Sequence, residues 1–258
     1  MSGTLPPKAA PSLELTTKLV GSDGAGWRLR LYSEAAEASG AFRSLRPPNP
    51  SGGGTGESGR SGDEAARRAR GQVRRYCAAN RLNRLGTLTY AGTGNHDPAQ
   101  LRADVAEFFR GLRADISRAL PYLWVPEWHP GGHGLHVHFA VGRYIPRHSI
   151  DRAWGRGHVH IKLLGDMSAT SGPITEARVA ARYLAKYLTK EARASDGLHR
   201  YEVAQGFQPE ARIIRGRWAG EALDRACAVM GSEPTTVWYS WEHAEWHGPA
   251  AVWASWDA

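Results

Sequence analysis

Two histidines one residue apart, His136 and His138, sit inside the apolar run GLHVHFAV at residues 134–141. Residues two apart on a strand point the same way, so both imidazoles would leave one face while Val137 enters the opposite layer. Paired imidazoles on one face supply two arms of a site for a divalent cation. Glu127 lies upstream in VPEWHPGGHGLHVHF, where a hairpin would bring its carboxylate beside both rings; His129 is the rival third ligand. Two imidazoles and a carboxylate with positions left open suit Mn²⁺, Mg²⁺ or Zn²⁺ acting as a Lewis acid on a phosphoryl oxygen. No nearby cysteine offers the fourth ligand that a structural zinc would want. A second His-Val-His, His158 to His160, lacks an acidic partner on a preceding hairpin strand and reads as a strand with a polar face.

The second constellation is ARYLAKYLTKE at residues 181–191. On a helix Tyr183 and Tyr187 are i, i+4 neighbours, as are Lys186 and Lys190, and Leu184 and Leu188. At about 100° per residue the tyrosine stripe falls between the leucines and the lysines, which puts its hydroxyls at the border of core and cation. A phenol with an ordinary pKa of about 10 is a weak nucleophile and needs nearby positive charge or metal to favour its phenolate. Lys186 and Lys190 would supply that charge.

These groups have to be held by a fold. LGTLTYAG at residues 85–92 reads as a strand, and DPAQLRADVAEFFRGLRADIS as an amphipathic helix opened by Asp97-Pro98, with Leu101, Val105, Phe108, Phe109 and Leu112 at helical period. YLWVPEW and GLHVHFAVG read as hairpin strands joined by HPGGHG; RHSIDRAW is a short helix, GHVHIKLL a strand and TEARVAARYLAKYLTKEA a helix. The order β-α-β-β-α-β-α predicts an α+β fold, a central antiparallel sheet with helices packed on it. Residues 46–62 are nearly all Pro, Gly, Ser and polar, so residues 1–62 are expected to be a flexible arm and linker. The catalytic domain is expected over 63–192, led by a basic helix with Arg67, Arg68, Arg70, Arg74 and Arg75, and a tryptophan-rich extension over 193–258. That extension carries Trp218, Trp238, Trp241, Trp246, Trp253 and Trp256, read as a packed layer or partner surface in preference to a base-stacking platform.

Composition narrows the partners. The chain has 258 residues and a net charge of +8, with a pI near 9.8, which points to polyanions. Most of the positive charge is arginine, which grips phosphate with two donors at once. Cys77 and Cys227 belong to no CxxC and are expected as reduced thiols in a cytoplasm. No apolar run of membrane-spanning length and no secretory pattern at the N-terminus is present, so no membrane partner is expected.

The strand LGTLTY, the acid followed by His-hydrophobic-His, and the helix YLAKYLTK resemble, in that order, the three motifs of rolling-circle replication initiators of the HUH endonuclease superfamily, of plasmid or phage type. The resemblance covers roughly residues 84–191. It implies a metal-dependent, site-specific nicking and joining of single-stranded DNA at a replication origin, through a 5′-phosphotyrosyl link and a free 3′-OH. It assigns His136 and His138 to the metal, Mn²⁺ or Mg²⁺, with Glu127 as third ligand. Tyr187 is the favoured nucleophile, Tyr183 the second, and Lys186 and Lys190 their cationic neighbours. A host helicase and DNA polymerase are implied partners, since no GxxxxGK[ST] loop follows the tyrosine helix. The competing readings are a related two-tyrosine transposase and a non-catalytic DNA-binding module on the same fold.

Overall fold

The computed structural model describes residues 26–43, 57–162, 172–189 and 199–256. The elements are β1 (Gly26–Tyr32), β2 (Glu37–Arg43), α1 (Glu57–Ala79), β3 (Arg84–Tyr90), α2 (Pro98–Ile116), β4 (Tyr122–Trp128), β5 (Leu135–Val141) and α3 (Arg147–Trp154). They continue with β6 (Gly157–Lys162), α4 (Pro173–Thr189), β7 (Glu202–Val203), β8 (Arg212–Gly216), α5 (Ala219–Met230), β9 (Thr236–Tyr239) and β10 (Ala251–Ser255). The fold is α+β with two antiparallel sheets, and the chain divides into two compact units, each with its own sheet.

The larger unit spans residues 54–210 with the short segment 34–36, and its sheet runs β6-β3-β5-β4-β7. Without the two-residue β7, this is the strand order of a split βαβ fold, with β5 central between β3 and β4. The α2 stripe read from the sequence is buried as a set, with Leu101, Phe108, Phe109 and Leu112 fully shielded from water. They pack with Leu88, Val137, Phe139 and Trp154 on one face of the sheet. Each such side chain contributes about 1.5–3 kcal/mol of transfer free energy. Asp97 caps α2 by accepting the Ala99 N–H at 2.8 Å, with Pro98 in the first turn where no N–H is needed. On the opposite face Leu85, Leu123, Val125 and Ala140 pack under Val73 and Cys77 of α1 and Ala177, Ala181, Leu184 and Leu188 of α4.

The smaller unit holds β1, β2, β8, α5, β9 and β10 in a sheet of order β8-β1-β2-β10-β9. Residues 26–43 fall inside the stretch expected as a flexible arm, yet they form two strands. In β1 Trp27, Leu29 and Leu31 are buried while Arg28 and Arg30 are exposed, a clean two-faced alternation. The cover for that apolar face comes from α5, more than 180 residues on, through Ala219, Ala222, Leu223 and Ala226. Tail strands β9 and β10 thus belong to a sheet shared with β1 and β2, while β7 joins the sheet of the larger unit. The basic helix begins at Glu57, ahead of the expected boundary at 63. Residues 44–56, most of the expected linker, lie outside the described residues.

Candidate active site

Register places the candidate ligands. In β5, His136 and His138 alternate with Leu135, Val137 and Phe139, whose side chains fill the α2 side of the sheet. Opposite His136 stand Glu127 of β4 and Thr89 of β3; opposite His138 stand Val125 and Thr87. Directly paired residues of an antiparallel ladder share a face. The carboxylate, both imidazoles and two threonine hydroxyls therefore emerge together, on the face that α1 and α4 cover further along.

The turn between β4 and β5 is shaped by Gly134, whose φ is +78°, in the left-handed region. A Cβ there would stand 2.3 Å from the Asn95 carbonyl oxygen. The close approach lets Asn95 O accept the Leu135 N–H at 2.7 Å, while His129 N–H donates to Gly134 O at 2.8 Å, which fixes where β5 starts. Across the sheet, Gly86 of β3 leaves room for the Phe139 ring, which a Cβ would meet at 2.3 Å. Phe139 can then lie against β3 while its neighbour His138 takes the other face.

The hydrogen bonds tie the polar groups together. His138 Nε2 and Glu127 Oε2 are 2.6 Å apart, and His138 Nδ1 lies 3.0 Å from Thr87 Oγ1. His136 Nδ1 is 3.4 Å from Thr89 Oγ1, whereas His136 Nε2 is buried with no hydrogen-bond partner. The His129 ring stacks on His136 at 4.6 Å, with His129 Nδ1 accepting the Gly131 N–H. Burial is the main cause that lowers the His136 pKa from its ordinary value, followed by the neighbouring imidazoles His129, His138 and His133. His136 is thereby held neutral, with a lone pair available.

From α4 the Tyr187 ring stacks on His138, centroids 3.7 Å apart and planes 15° off parallel. Tyr187 Oη donates to Tyr183 Oη at 2.9 Å. As the stripe geometry requires, Leu184 and Leu188 are buried, both tyrosines are half-buried, and Lys186 is exposed with its Nζ 5.6 Å from the Tyr183 ring centre. Burial raises the Tyr187 pKa above the ordinary phenol value, helped by the bond to Tyr183 and the charge of Glu127. The phenol is therefore protonated as it stands, and ionising it calls for added positive charge. Lys190, the other expected cation, lies outside the described residues.

The structure brings together Glu127, His136, His138, Tyr183, Tyr187 and Lys186, and His129 beside them. Both candidates for the third ligand stay close: Glu127 against His138, His129 against His136. Among the described residues no three His, Cys, Asp or Glu side chains stand ready as a metal cluster. Glu127 and His138 spend their donor atoms on each other. The donor set nevertheless fits a divalent cation: two nitrogens and an oxygen, with the orphaned His136 Nε2 among them.

Thr87 and Thr89 are the residues whose role sequence reasoning missed, although the alternation in LGTLTY put them on one face. The second histidine pair also gains meaning from register. His158 faces Thr89 and His160 faces Thr87 across β3 and β6, so both exposed rings lie on the face of His136 and His138.

No curated protein and no solved structure matches this chain. Residues 83–192, under half of the chain, match a family of replication-associated proteins, the one described under the name ORF2, and that span takes in Glu127, His136, His138, Tyr183 and Tyr187.

Proposed function

We propose that the chain nicks and rejoins single-stranded DNA at a replication origin, with Tyr187 as the attacking group and a divalent cation, Mn²⁺ or Mg²⁺, held by His136, His138 and Glu127. The observation that carries this reading is the stacking of the Tyr187 ring on His138, 3.7 Å away, which sets a phenol beside an imidazole–carboxylate pair on one sheet face. A bound cation would withdraw charge from the scissile phosphate and favour the phenolate. The chain's own groups do the rest. Tyr187 Oη releases to solvent the proton it now donates to Tyr183 Oη and bonds to phosphorus. The P–O3′ bond breaks, the 3′ oxygen takes up a proton, and the 5′ phosphate stays on the tyrosine. In the rejoining step a free 3′-OH attacks the same phosphorus and Tyr187 Oη leaves, taking up a proton, while Tyr183, hydrogen-bonded to Tyr187, would serve as the second nucleophile for another nick. Lys186 and the exposed His158 and His160 offer cationic or hydrogen-bonding contacts to neighbouring phosphates. The match to a replication-associated family supports the same reading, and the released 3′-OH would prime a host polymerase behind a host helicase.

The test uses the full chain, Mn²⁺ and a labelled pool of random single-stranded oligonucleotides, run on a denaturing gel. A band of protein carrying DNA is expected, lost in Tyr183→Phe/Tyr187→Phe. An adduct that survives the double substitution, or no cleavage with any divalent metal, overturns the assignment.

A further inference from the structure

The smaller unit has a sheet face that the candidate active site does not use. Its buried face carries Trp27, Leu29, Leu31, Ile214, Val252 and Ala254. By register the other face has one row Ile213–Arg30–Ser39–Trp253–Trp238 and a second Arg215–Arg28–Ala41–Ala251, with Arg43 at the end of β2. Toward the far end Glu37 and Ser255 are buried, so the open part is the part with the arginines.

Three features of this open part coincide. Arg28, Arg30, Arg43 and Arg215 are exposed, and no carboxylate among the described residues pairs with any of them. At the end of this face, where β1 and β8 meet α5, a concavity of about 410 Å³ is lined by Arg28, Arg43, Arg215, Arg217, Arg225 and Glu221. Its one carboxylate is engaged by Arg217 at 3.2 Å and Arg225 at 2.7 Å, which leaves the hollow with a large excess of positive charge. Across β2, whose outward residues Ser39 and Ala41 are small, stands an aromatic bank. Trp253 pairs with Trp238, and Trp238 stacks on His243 at 5.0 Å with Trp246 edge-on at 5.2 Å. Two strand spacings, about 10 Å, separate the arginine strand from the Trp253 strand.

We propose that this face is a second nucleic-acid site, a trough that takes single-stranded DNA with its phosphates along the arginines of β1, β2 and β8 and its bases turned toward Trp253 and Trp238. Single strands are bound by a cationic track beside aromatic rings, because every base offers a flat face while the phosphates repeat regularly. An acidic protein would satisfy the arginines and leave the tryptophans unexplained; a duplex keeps its bases stacked inside. That the strand is DNA rests on the proposed nicking activity. Such a site would hold the strand independently of the groups that cut it, and for Trp238 and Trp253 it favours the base-stacking platform over the packed layer or partner surface preferred from the sequence.

The experiment measures fluorescence anisotropy of a labelled 30-nucleotide single strand. The full chain carries Tyr183→Phe/Tyr187→Phe, so covalent attachment plays no part and the outcome stands whether or not the parent nicks DNA. Adding Arg28→Ala, Arg43→Ala and Arg215→Ala is expected to weaken binding at least about tenfold at 0.1 M salt. It should also flatten the plot of log K against log salt by about 2, at about 0.7 for each phosphate no longer gripped. Unchanged affinity and slope overturn the proposal. So does an equal loss for a duplex or for polyglutamate, which would make the face a general anion surface. A second measurement needs no substitution in this unit. Photocrosslinking of a 5-iododeoxyuridine strand should yield adducts at Trp253 or Trp238, and adducts confined to residues 57–210 sink the idea.

Discussion

Thr87→Val isolates the hydroxyl that orients His138. Thr87 sits on β3 directly opposite His138, its Oγ1 3.0 Å from Nδ1, while Nε2 faces Glu127 at 2.6 Å. With Nε2 donating to the carboxylate, a neutral His138 accepts at Nδ1 and the threonine donates. If Nε2 gave its lone pair to the proposed cation, Nδ1 would carry the proton and the threonine would accept. A hydroxyl serves both states by rotating. Valine has nearly the same shape and serves neither. His138 is 7% exposed, so water cannot easily take over. Losing one hydrogen bond costs about 1 kcal/mol, and leaving the buried Nδ1–H without an acceptor adds about 1–3 kcal/mol. The sum, about 2–4 kcal/mol, corresponds to a cation affinity about 30–700-fold weaker at about 1.4 kcal/mol per tenfold, overlapping the upper part of the 10–100-fold range typical of a substituted partner to a metal-ligating histidine. Calorimetric titration of the full chain with Mn²⁺ measures it directly. Thr87→Ser should stay close to the parent, and Thr89→Val, whose contact to His136 is 3.4 Å, should lose less. A Thr87→Val protein that binds Mn²⁺ within about twofold of the parent would refute the orienting role.

Two further outcomes follow from the same geometry. Gly134→Ala forces a side chain into the left-handed region, at about 1–2 kcal/mol, and into the Asn95 carbonyl. The melting temperature should drop by about 5 °C or more, with Mn²⁺ binding weakened because β5 shifts; an unaltered melt contradicts the close approach. Because the folded state lowers the His136 pKa, the unfolded chain takes up a proton first as pH falls through about 6.5. Stability from this group is thus present above that pH and lost below it, so the urea midpoint should fall more between pH 7.5 and 5.5 in the parent than in His136→Asn. An equal fall in both excludes His136 as the source.

Much of the larger unit was legible because its signals are local. The Leu101-to-Leu112 stripe, the Asp97 cap and the glycine-rich turn each lie within one element or its flank. The parity of His136 and His138, and the tyrosine, leucine and lysine stripes of α4, follow from chain geometry alone. Strand partners do not. That Thr87 faces His138, and that His158 and His160 share its face, depends on β3 lying between β5 and β6. The smaller unit was hidden for the same reason in stronger form. Ser39, Gly40 and Ala41 in β2 carry no hydrophobic alternation, and the strand that covers its second edge begins at Ala251. A stretch with small residues and distant partners is easily taken for a linker.

The two sheets differ in how their strands are spaced along the chain, and that difference orders their birth on the ribosome. Every strand and helix of the larger unit's sheet and its covers is made by residue 203, so this part can assemble from what has already emerged. The other sheet has β10 as an interior strand between β2 and β9, so its N-terminal hairpin must wait for residues 251–255. Trp27, Leu29 and Leu31 remain open to solvent or to a chaperone until α5 emerges, and the edge of β2 stays unpaired until β10 follows. A nascent chain arrested before Ala251 would therefore carry the histidine and tyrosine cluster already built, alongside a half-sheet prone to pair with its neighbours.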